Sequence, residues 1–222
     1  MRIRIGFSRH ERVKYLGHLD IMRTFQRAFI RSGVTMVYSD GFNPHQKMNF
    51  AQPLGVGITS SGEYLDAEIA DEQERFPDLS SLALELSRQM GPGFSINSTC
   101  RLAEGAEKGM AAVRYAAYTV TVQGEAPDTQ PFLDAGAVVT VKKTKSGSSE
   151  IDIKPLVYRL TRDGNAYKMV LQAGSENNLK PELLMQELYR LSGIPYERSL
   201  ISIHRDELMA EGFMPLSAYQ VV

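Results

Sequence analysis

The sequence predicts an α+β fold made of two ferredoxin-like (βαββαβ) halves in tandem. The chain has 222 residues, which is enough for two compact domains. Within residues 1–104, strand-like and helix-like patterns follow the order β-α-β, a long irregular connection and β-α-β, which is the split arrangement of a ferredoxin-like sandwich. Residues 110–222 repeat this order less cleanly. A single larger α+β sheet is the alternative interpretation.

Hydrophobic periodicity defines the elements of the first half. Alternation of apolar and charged residues over positions 2–8 predicts a half-buried strand. Apolar residues recur at helical spacing over His18–Ser32, and Gly33 is a natural stop for that helix. The other elements of this half are predicted to be strands at 34–39, 64–70 and 94–102, short strand-like pieces at 47–51 and 56–59, and a helix at 79–90.

The second half follows a linker at residues 105–109. The turn at Asp163-Gly164-Asn165 predicts a hairpin between two of its strands. Residues 144–150 are interpreted as a mobile hairpin tip and not as a site. The remaining elements are predicted to be strands at 113–122, 137–143, 156–161, 167–171 and 199–204, a short helical segment at 131–135, and a helix at 179–191.

Composition excludes several classes of protein. The single cysteine, Cys100, excludes an intrachain disulfide and a cysteine-rich metal cluster. No apolar run is long enough to span a bilayer, and the first ten residues lack the apolar core of a signal peptide. The four histidines do not have the spacing of a recognised metal site. We therefore expect a cytoplasmic protein with no membrane partner and no cofactor in this chain.

Charge is distributed unevenly along the chain. Residues 1–50 contain nine Lys/Arg and three Asp/Glu, whereas residues 51–110 contain four and ten. Such blocks are typical of a protein with a one-sided polyanion-binding face. Two domains that dock on each other electrostatically would produce the same pattern.

A row of arginines on the first predicted helix is the clearest basic feature. Arg23, Arg27 and Arg31 recur every four residues and share one helix face. Guanidinium groups suit phosphate contact, so the row could follow a nucleic-acid backbone, although any solvated helix face has the same pattern. Neighbouring loops add further polar groups. The candidate RNA-binding residues are Arg9, His10, Lys14, His18, Asp20, Arg23, Arg27, Arg31, Ser39, Phe42, Asn43, His45 and Lys47.

His18 and Asp20 allow two interpretations. A histidine positioned by a carboxylate is the usual arrangement for general acid–base catalysis. Alternatively, Asp20 complements the positive end of the helix dipole, and the pair only fixes the start of the helix. Both interpretations stay open, and no catalytic residue is predicted.

The connection at residues 39–47 is rich in turn-forming residues and holds an aromatic ring. Gly41 and Asn43-Pro44 impose an irregular backbone. The ring of Phe42 could stack on an unpaired base or could be a buried plug that anchors the loop. The connection and the loop before the first helix become neighbours only if the connection folds back over the sheet edge.

Several motifs within residues 1–70 occur together. They are Tyr15-Leu16-Gly17-His18-Leu19-Asp20, Phe25-Gln26-Arg27-Ala28, Arg31-Ser32-Gly33, Tyr38-Ser39-Asp40-Gly41-Phe42-Asn43-Pro44-His45, Phe50-Ala51-Gln52-Pro53-Leu54, Gly57 and Gly62-Glu63-Tyr64-Leu65-Asp66. Together they resemble the bacterial radical-SAM-linked family, usually labelled a domain of unknown function. Gly17 stands where that family is expected to have a serine.

The resemblance implies a partner. Members look like companions of a radical-SAM enzyme of the cobalamin-domain type, and they are often encoded near ribonuclease and ribosomal-protein genes, which implies RNA (rRNA or tRNA) as the substrate. The radical chemistry would belong to the partner, because this chain lacks the three-cysteine cluster that such enzymes need. We therefore expect a non-catalytic RNA-binding or substrate-presenting subunit.

Two rival functions fit the same residues. One is a metal-independent endoribonuclease resembling the CRISPR repeat-processing enzymes built from tandem ferredoxin-like halves, with His18, or His10 with Lys14, promoting attack by the 2′-hydroxyl. The other is a protein-interaction module whose acidic block at 51–110 docks the partner enzyme.

Overall fold

The computed structural model describes residues 1–71, 75–144, 147–175 and 177–222, and these contain five α-helices and ten strands. The helices are α1 (His18–Ser32), α2 (Leu79–Gln89), α3 (Gly109–Ala112), α4 (Gln130–Asp134) and α5 (Pro181–Ser192). The strands are β1 (Arg2–Arg9), β2 (Met48–Phe50), β3 (Thr59–Glu68), β4 (Phe94–Arg101), β5 (Tyr115–Val122), β6 (Val139–Thr144), β7 (Gly147–Asp152), β8 (Val157–Asp163), β9 (Ala166–Gln172) and β10 (Ile201–Met209). In the described parts of the chain, no helix is both long and apolar enough to cross a membrane.

Eight strands form one mixed sheet. Its order is β4-β1-β3-β10-β5-β9-β8, and β2 also pairs with β3. The first and second halves meet where β3 and β10 run parallel, with His204 opposite Thr59 and Arg205 opposite Ser60. We call this pairing the seam; the other named pairings in this sheet are antiparallel. The predicted α+β class is confirmed, and both halves share a single sheet.

The predicted long helices are present because their apolar stripes meet this sheet. The stripe of α1 buries Ile21, Phe25 and Phe29, and the helix ends at Gly33, whose φ of 76° favours glycine. Asp78 caps α2 by accepting a hydrogen bond from the Ser81 amide at 2.7 Å. In the second half, α5 packs over β5 and β9 through a separate cluster of buried side chains.

The predicted strand at 34–39 is wrong. Only isolated bridges occur there, between Met36 and Ile69 and between Tyr38 and Gln46. The Val37 amide donates to the Glu68 carbonyl, while the Lys47 amide donates to the Val37 carbonyl. The edge of β3 therefore pairs mainly with residues 48–50 (β2), and the segment around Met36 makes only a bridge next to them, at Ile69.

Other boundaries differ locally. The hairpin of β6 and β7 forms a separate two-stranded sheet. The segment 144–150 was interpreted as a mobile hairpin tip, and its positions 145 and 146 are not among the described residues. The expected linker at 105–109 is packed against the first half, because the Gly109 amide donates to Asp66 and Arg2 donates to the Ala106 carbonyl.

Two buried ion pairs anchor β3 to its neighbours. Arg4 on β1 makes a two-atom contact with Asp66, with nitrogen–oxygen distances of 2.7 and 3.0 Å. Arg205 on β10 makes the corresponding contact with Glu63, and its Nη2 also donates to the Gln52 carbonyl at 2.8 Å. The strand predicted to be half-buried is buried on both faces here, because the C-terminal segment covers Arg4 and the Leu216 carbonyl accepts its third hydrogen bond.

Candidate functional site

The second half exposes one face of its four strands. Tyr118, Val120 and Ile203 point toward the helices and are buried, so the residues that alternate with them point the other way. Thr119 on β5 pairs with His204 on β10 and with Lys168 on β9, and Lys168 pairs with Thr161 on β8. These four side chains therefore lie in a single row across that surface. We call this surface the open face, and its residues include Thr119, Thr121, Thr161, Lys168, Ser202 and His204.

His204 stands at the seam and is held by hydroxyl groups. Its Nδ1 is 2.8 Å from the Thr59 hydroxyl, and its Nε2 is 3.1 Å from the Ser61 hydroxyl. One carboxylate oxygen of Asp206 lies 3.8 Å from Nε2, and the other accepts a hydrogen bond from Thr119 at 2.8 Å. These contacts connect β3, β5 and β10 and fix the orientation of the imidazole.

A cleft opens beside His204 where loops of both halves meet. It consists of two adjoining cavities of about 470 and 500 Å³, which share Glu11, Thr59 and His204. We call it the seam cleft. The cationic or ionisable groups Arg9, His10, Arg12 and Lys14 on its walls come from the end of β1 and the loop after it, and Arg198 comes from the segment before β10.

The walls of the seam cleft suit a polar, anionic ligand. Lys14 forms an ion pair with Glu11 at 2.7 Å, and this hydrogen bond raises the pKa of the Lys14 ammonium, which is therefore charged at neutral pH. Hydroxyls of Thr119, Thr121 and Ser202 supply donors and acceptors on the floor. No group of three or more metal-ligating side chains occurs among the described residues.

Arg9 does not belong to an exposed basic surface, contrary to the sequence analysis. The residue is almost completely buried, and its Nη2 donates to the carbonyls of Val13, Lys14 and Leu16. Burial lowers the pKa of the Arg9 guanidinium from its ordinary value. Alternation along β1 puts Arg9 on the same face as Ile3, Ile5 and Phe7, so this side chain points inward, where it holds the loop before α1.

His10 and Lys14 reach the seam cleft, whereas His18 and Asp20 do not line it. His10 Nε2 is 2.9 Å from the Ser95 hydroxyl. His18 packs edge-on against the ring of Phe50, with centroids 5.1 Å apart. In the described structure, the carboxylate of Asp20 lies 3.7 Å from Arg23 and not against His18, so the histidine–carboxylate pair, one of the two interpretations left open, is not formed.

The arginine row on α1 is present, but its members have local partners. Arg23 faces Asp20, and Arg27 Nε donates to the Arg23 carbonyl at 3.3 Å. Arg31 donates to the Gln89 carbonyl at 2.6 Å and thereby ties α1 to α2. None of the three lines the seam cleft as the structure describes it.

The loop at residues 39–45 is held at its base and projects Phe42. The Ser39 hydroxyl lies 2.8 Å from His45 Nδ1 and accepts a hydrogen bond from the His45 amide. Gly41 has a φ of 108°, which favours glycine, and Asn43 is exposed. The ring of Phe42 is completely exposed, so the interpretation as a buried plug is wrong.

The two predicted groups of site residues lie at opposite ends of β3. The Lys14 carbonyl accepts a hydrogen bond from the Gly57 amide, just before β3 begins, whereas Lys47 pairs with Glu68 at 3.7 Å, where β3 ends. Ten residues of strand separate these ends by about 30 Å. The long connection does return to the loop before α1, but through residues 56 and 57.

Sequence reasoning missed most of the open face. His204, Thr119 and Lys168 are far apart in the chain and meet only through strand register. One signal was available for His204: it follows Ile201 and Ile203 in an alternating pattern, which puts it on the polar face of the last strand.

Comparison with known proteins supplies one match. A family model described as "Uncharacterized protein conserved in bacteria (DUF2344)" matches residues 2–181. No curated protein matches the chain.

Proposed function

This chain belongs to the DUF2344 family of bacterial proteins, and we propose that it is a non-catalytic, RNA-binding and substrate-presenting accessory protein of a radical-SAM enzyme of the cobalamin-domain type. The RNA, a ribosomal or transfer RNA, binds at the open face and the seam cleft. The ligand is thus RNA, as the sequence predicts, but it binds at a different surface from the predicted arginine row on α1.

The observation that carries this proposal is the row His204–Thr119–Lys168–Thr161 across four neighbouring strands. An open antiparallel sheet face is a known platform for single-stranded RNA, and positively charged groups beside it contact the RNA backbone. The seam cleft extends this row, and Lys14 adds a positive charge at its wall. Hydroxyl and imidazole groups can bond to base edges and 2′-hydroxyls, while the lysines contact phosphates.

The partner enzyme binds elsewhere, at the projecting loop of residues 39–45. A fully exposed phenylalanine on a loop with a fixed base is a suitable anchor for an apolar pocket in another protein. The acidic block at 51–110 is a weaker candidate, because Glu63 and Asp66 are buried in ion pairs.

RNA binding is tested by titrating labelled RNA at several salt concentrations. Wild-type protein is expected to bind single-stranded or loop-containing RNA, with affinity that falls as salt rises. Lys168→Gln should weaken binding and flatten the salt dependence by about 0.7 in the slope of log K against log salt. Absence of binding to any structured or single-stranded RNA at low salt would contradict the proposal.

Partner binding is tested with the purified radical-SAM, cobalamin-domain enzyme from the same genome. Phe42→Ala is expected to weaken the complex about 30-fold, the effect of losing one interface anchor, while RNA binding is unchanged. Tyr38→Ala, which removes another exposed ring in the neighbouring segment, is the control. An unchanged complex with Phe42→Ala would reject the loop as the contact.

The rival endoribonuclease also has a specific observation in its favour. His204, not His18, is the histidine with a carboxylate nearby, and it lines a cleft. Incubation of the protein with total RNA in EDTA distinguishes the two functions. Cleavage that His204→Ala abolishes would establish a metal-independent nuclease, whereas intact RNA supports the non-catalytic role.

The strand orders agree with the tandem interpretation of the fold. Within the shared sheet, the first half has the order β4-β1-β3-β2 and the second has β10-β5-β9-β8. Both are compatible with a split βαβ arrangement, with the division at 1–104 and 110–222. We propose a cytoplasmic location, where RNA and a radical-SAM partner are both available.

A further inference from the structure

Three aromatic rings cluster at one end of the open face. The ring centroids of Tyr115 and Phe213 are 4.3 Å apart, and those of Tyr115 and Tyr158 are 4.7 Å apart. The rings of Tyr158 and Phe213 are 5.7 Å apart and complete a triangle. We call these three residues the aromatic cluster.

The aromatic cluster is only partly covered. Tyr158 and Phe213 retain 47% and 46% of their accessible surface. Rings of a packed core are almost fully buried, as those of Phe25 and Phe29 on α1 are. Two adjacent half-exposed rings therefore leave planar apolar surface in contact with solvent.

The backbone presents Phe213 in an unfavourable conformation. Its φ is 59°, in the left-handed region that non-glycine residues rarely adopt, and it follows Gly212 at 68°. Such a conformation persists only where surrounding contacts compensate for it, and such positions concentrate at binding sites. Here Phe213 packs on Tyr115 with an angle of 31° between the rings, and the Ala210 amide donates to the Met214 carbonyl across the turn at 2.8 Å.

The aromatic cluster is continuous with the proposed RNA surface. Tyr115 and Thr119 lie on the same face of β5, four residues apart, so about 14 Å separates them. Between them the sheet exposes Arg159, which pairs with Val170 on β9. Cations and hydroxyls therefore lead along one face to a pair of accessible rings.

We propose that the aromatic cluster is a stacking site for an unpaired nucleobase, which lies on the exposed rings of Tyr158 and Phe213. This inference rests on the proposed RNA function, and it specifies that an unpaired base of the RNA binds at this end of the open face. Stacking on an aromatic ring accepts any base, because each base has a flat π face. The neighbouring cations hold the phosphates on either side of the stacked base.

The experiment measures binding of a single-stranded RNA octamer that carries one 2-aminopurine, with the same octamer in a duplex as comparison. Tyr158→Leu and Phe213→Leu are each expected to lower affinity for the single strand about 5- to 100-fold, the effect of losing one stacked base. Affinity for the duplex should change less than twofold, since its bases are already stacked. Binding to wild-type protein should quench 2-aminopurine fluorescence, and Tyr158→Leu should abolish the quenching.

Matched variants separate stacking from other effects. Tyr158→Phe keeps the ring but removes the hydroxyl, which donates to Gln172 at 2.5 Å, and it should bind as tightly as wild type. Tyr38→Leu removes a tyrosine of nearly equal exposure, 48%, outside the open face, and it should not change affinity. Thermal unfolding of each variant confirms that the protein is folded.

The outcomes distinguish this inference from the function on which it rests. If wild type binds RNA but Tyr158→Leu and Phe213→Leu bind equally well, the stacking site is wrong while the RNA function stands. Equal losses in Tyr158→Leu and Tyr158→Phe would assign the effect to the hydroxyl and also overturn stacking. If wild type binds no RNA, both the proposed function and this inference fail.

Discussion

The two ends of β3 carry different kinds of candidate site. At the Thr59 end, His204, Thr119 and Lys14 converge from three separate parts of the chain and line a cleft. At the Glu68 end, one continuous loop places Phe42 in solvent, and its hydrogen bonds are local. The first arrangement depends on strand register and the second depends on turn chemistry. This difference is the reason why we propose ligand binding at the first end and partner contact at the second.

We expect the greatest loss of stability when the buried Arg205–Glu63 ion pair near the seam is removed. Arg205→Met is expected to lower the free energy of unfolding by about 3–5 kcal/mol, because Glu63 stays buried without its partner. Denaturant unfolding followed by circular dichroism measures this change. Arg23→Met removes an exposed pair and should cost less than about 1 kcal/mol. Equal midpoints for the two variants would contradict the structural importance of the seam.

The next largest effect concerns a close approach of two backbones. A Cβ on Gly62 would lie 2.5 Å from the Asp206 carbonyl oxygen on β10. Gly62→Ala must push β3 and β10 apart, so we expect a loss of about 1–3 kcal/mol in stability. It should also disturb the His204 contacts, and a changed histidine signal in NMR spectra would report this. Gly136→Ala is the control, since a Cβ there meets nothing within 4 Å; the same stability for both variants would refute the argument.

A matched pair of lysines compares the two ends directly for RNA binding. Lys14 and Lys47 each pair with a glutamate, but only Lys14 lines the seam cleft. Lys14→Gln should reduce the slope of log K against log salt by about 0.7 for a single-stranded ligand, and Lys47→Gln should leave it unchanged. Titration at four or five salt concentrations provides the slopes. A larger effect from Lys47→Gln would place the RNA at the wrong end of β3.

The smallest expected effect lies at the start of α1, beside the Thr59 end. Gly17 caps the helix with a φ of −73° and a ψ of 163° and contributes no side-chain hydrogen bond. A serine Cβ there would lie 3.6 Å from Asp20, an ordinary contact. Gly17→Ser should therefore raise stability by a few tenths to about 1 kcal/mol, through capping and a less flexible unfolded chain.

Gly17→Ala separates these two contributions, because alanine restricts the unfolded chain but cannot cap the helix. Thermal melts of both variants should rank serine above alanine. Destabilisation by serine would show that the N-cap geometry is unsuitable.

Local signals were sufficient for the long elements of the fold. The apolar stripe of α1 and the stop at Gly33 predicted that helix with its observed bounds. The Asp163-Gly164-Asn165 turn correctly indicated the hairpin of β8 and β9. The spacing of apolar residues predicts helices and hairpins well, because the hydrogen bonds of these elements are local or span one tight turn.

The candidate site could not be predicted in the same way. The alternation of apolar and polar residues along a strand shows which face of the sheet each side chain occupies, but it does not show which strand pairs with it. The parallel pairing of β3 with β10 joins Thr59 to His204 across 145 positions. Arg9 was misassigned for a different reason: the predicted strand ended at residue 8, whereas β1 continues to Arg9 and buries this side chain on the face of Ile3, Ile5 and Phe7.

The position of β10 in the sheet has a consequence for synthesis of the protein. This strand is the last of the ten along the chain, yet it lies between β3 and β5 in the middle of the sheet. During translation, residues 201–209 emerge after the other strands, and contacts of such high sequence separation form slowly. Before this insertion the nascent chain has no His204 row and no seam cleft, so the proposed RNA-binding surface forms only when the final strand takes its place.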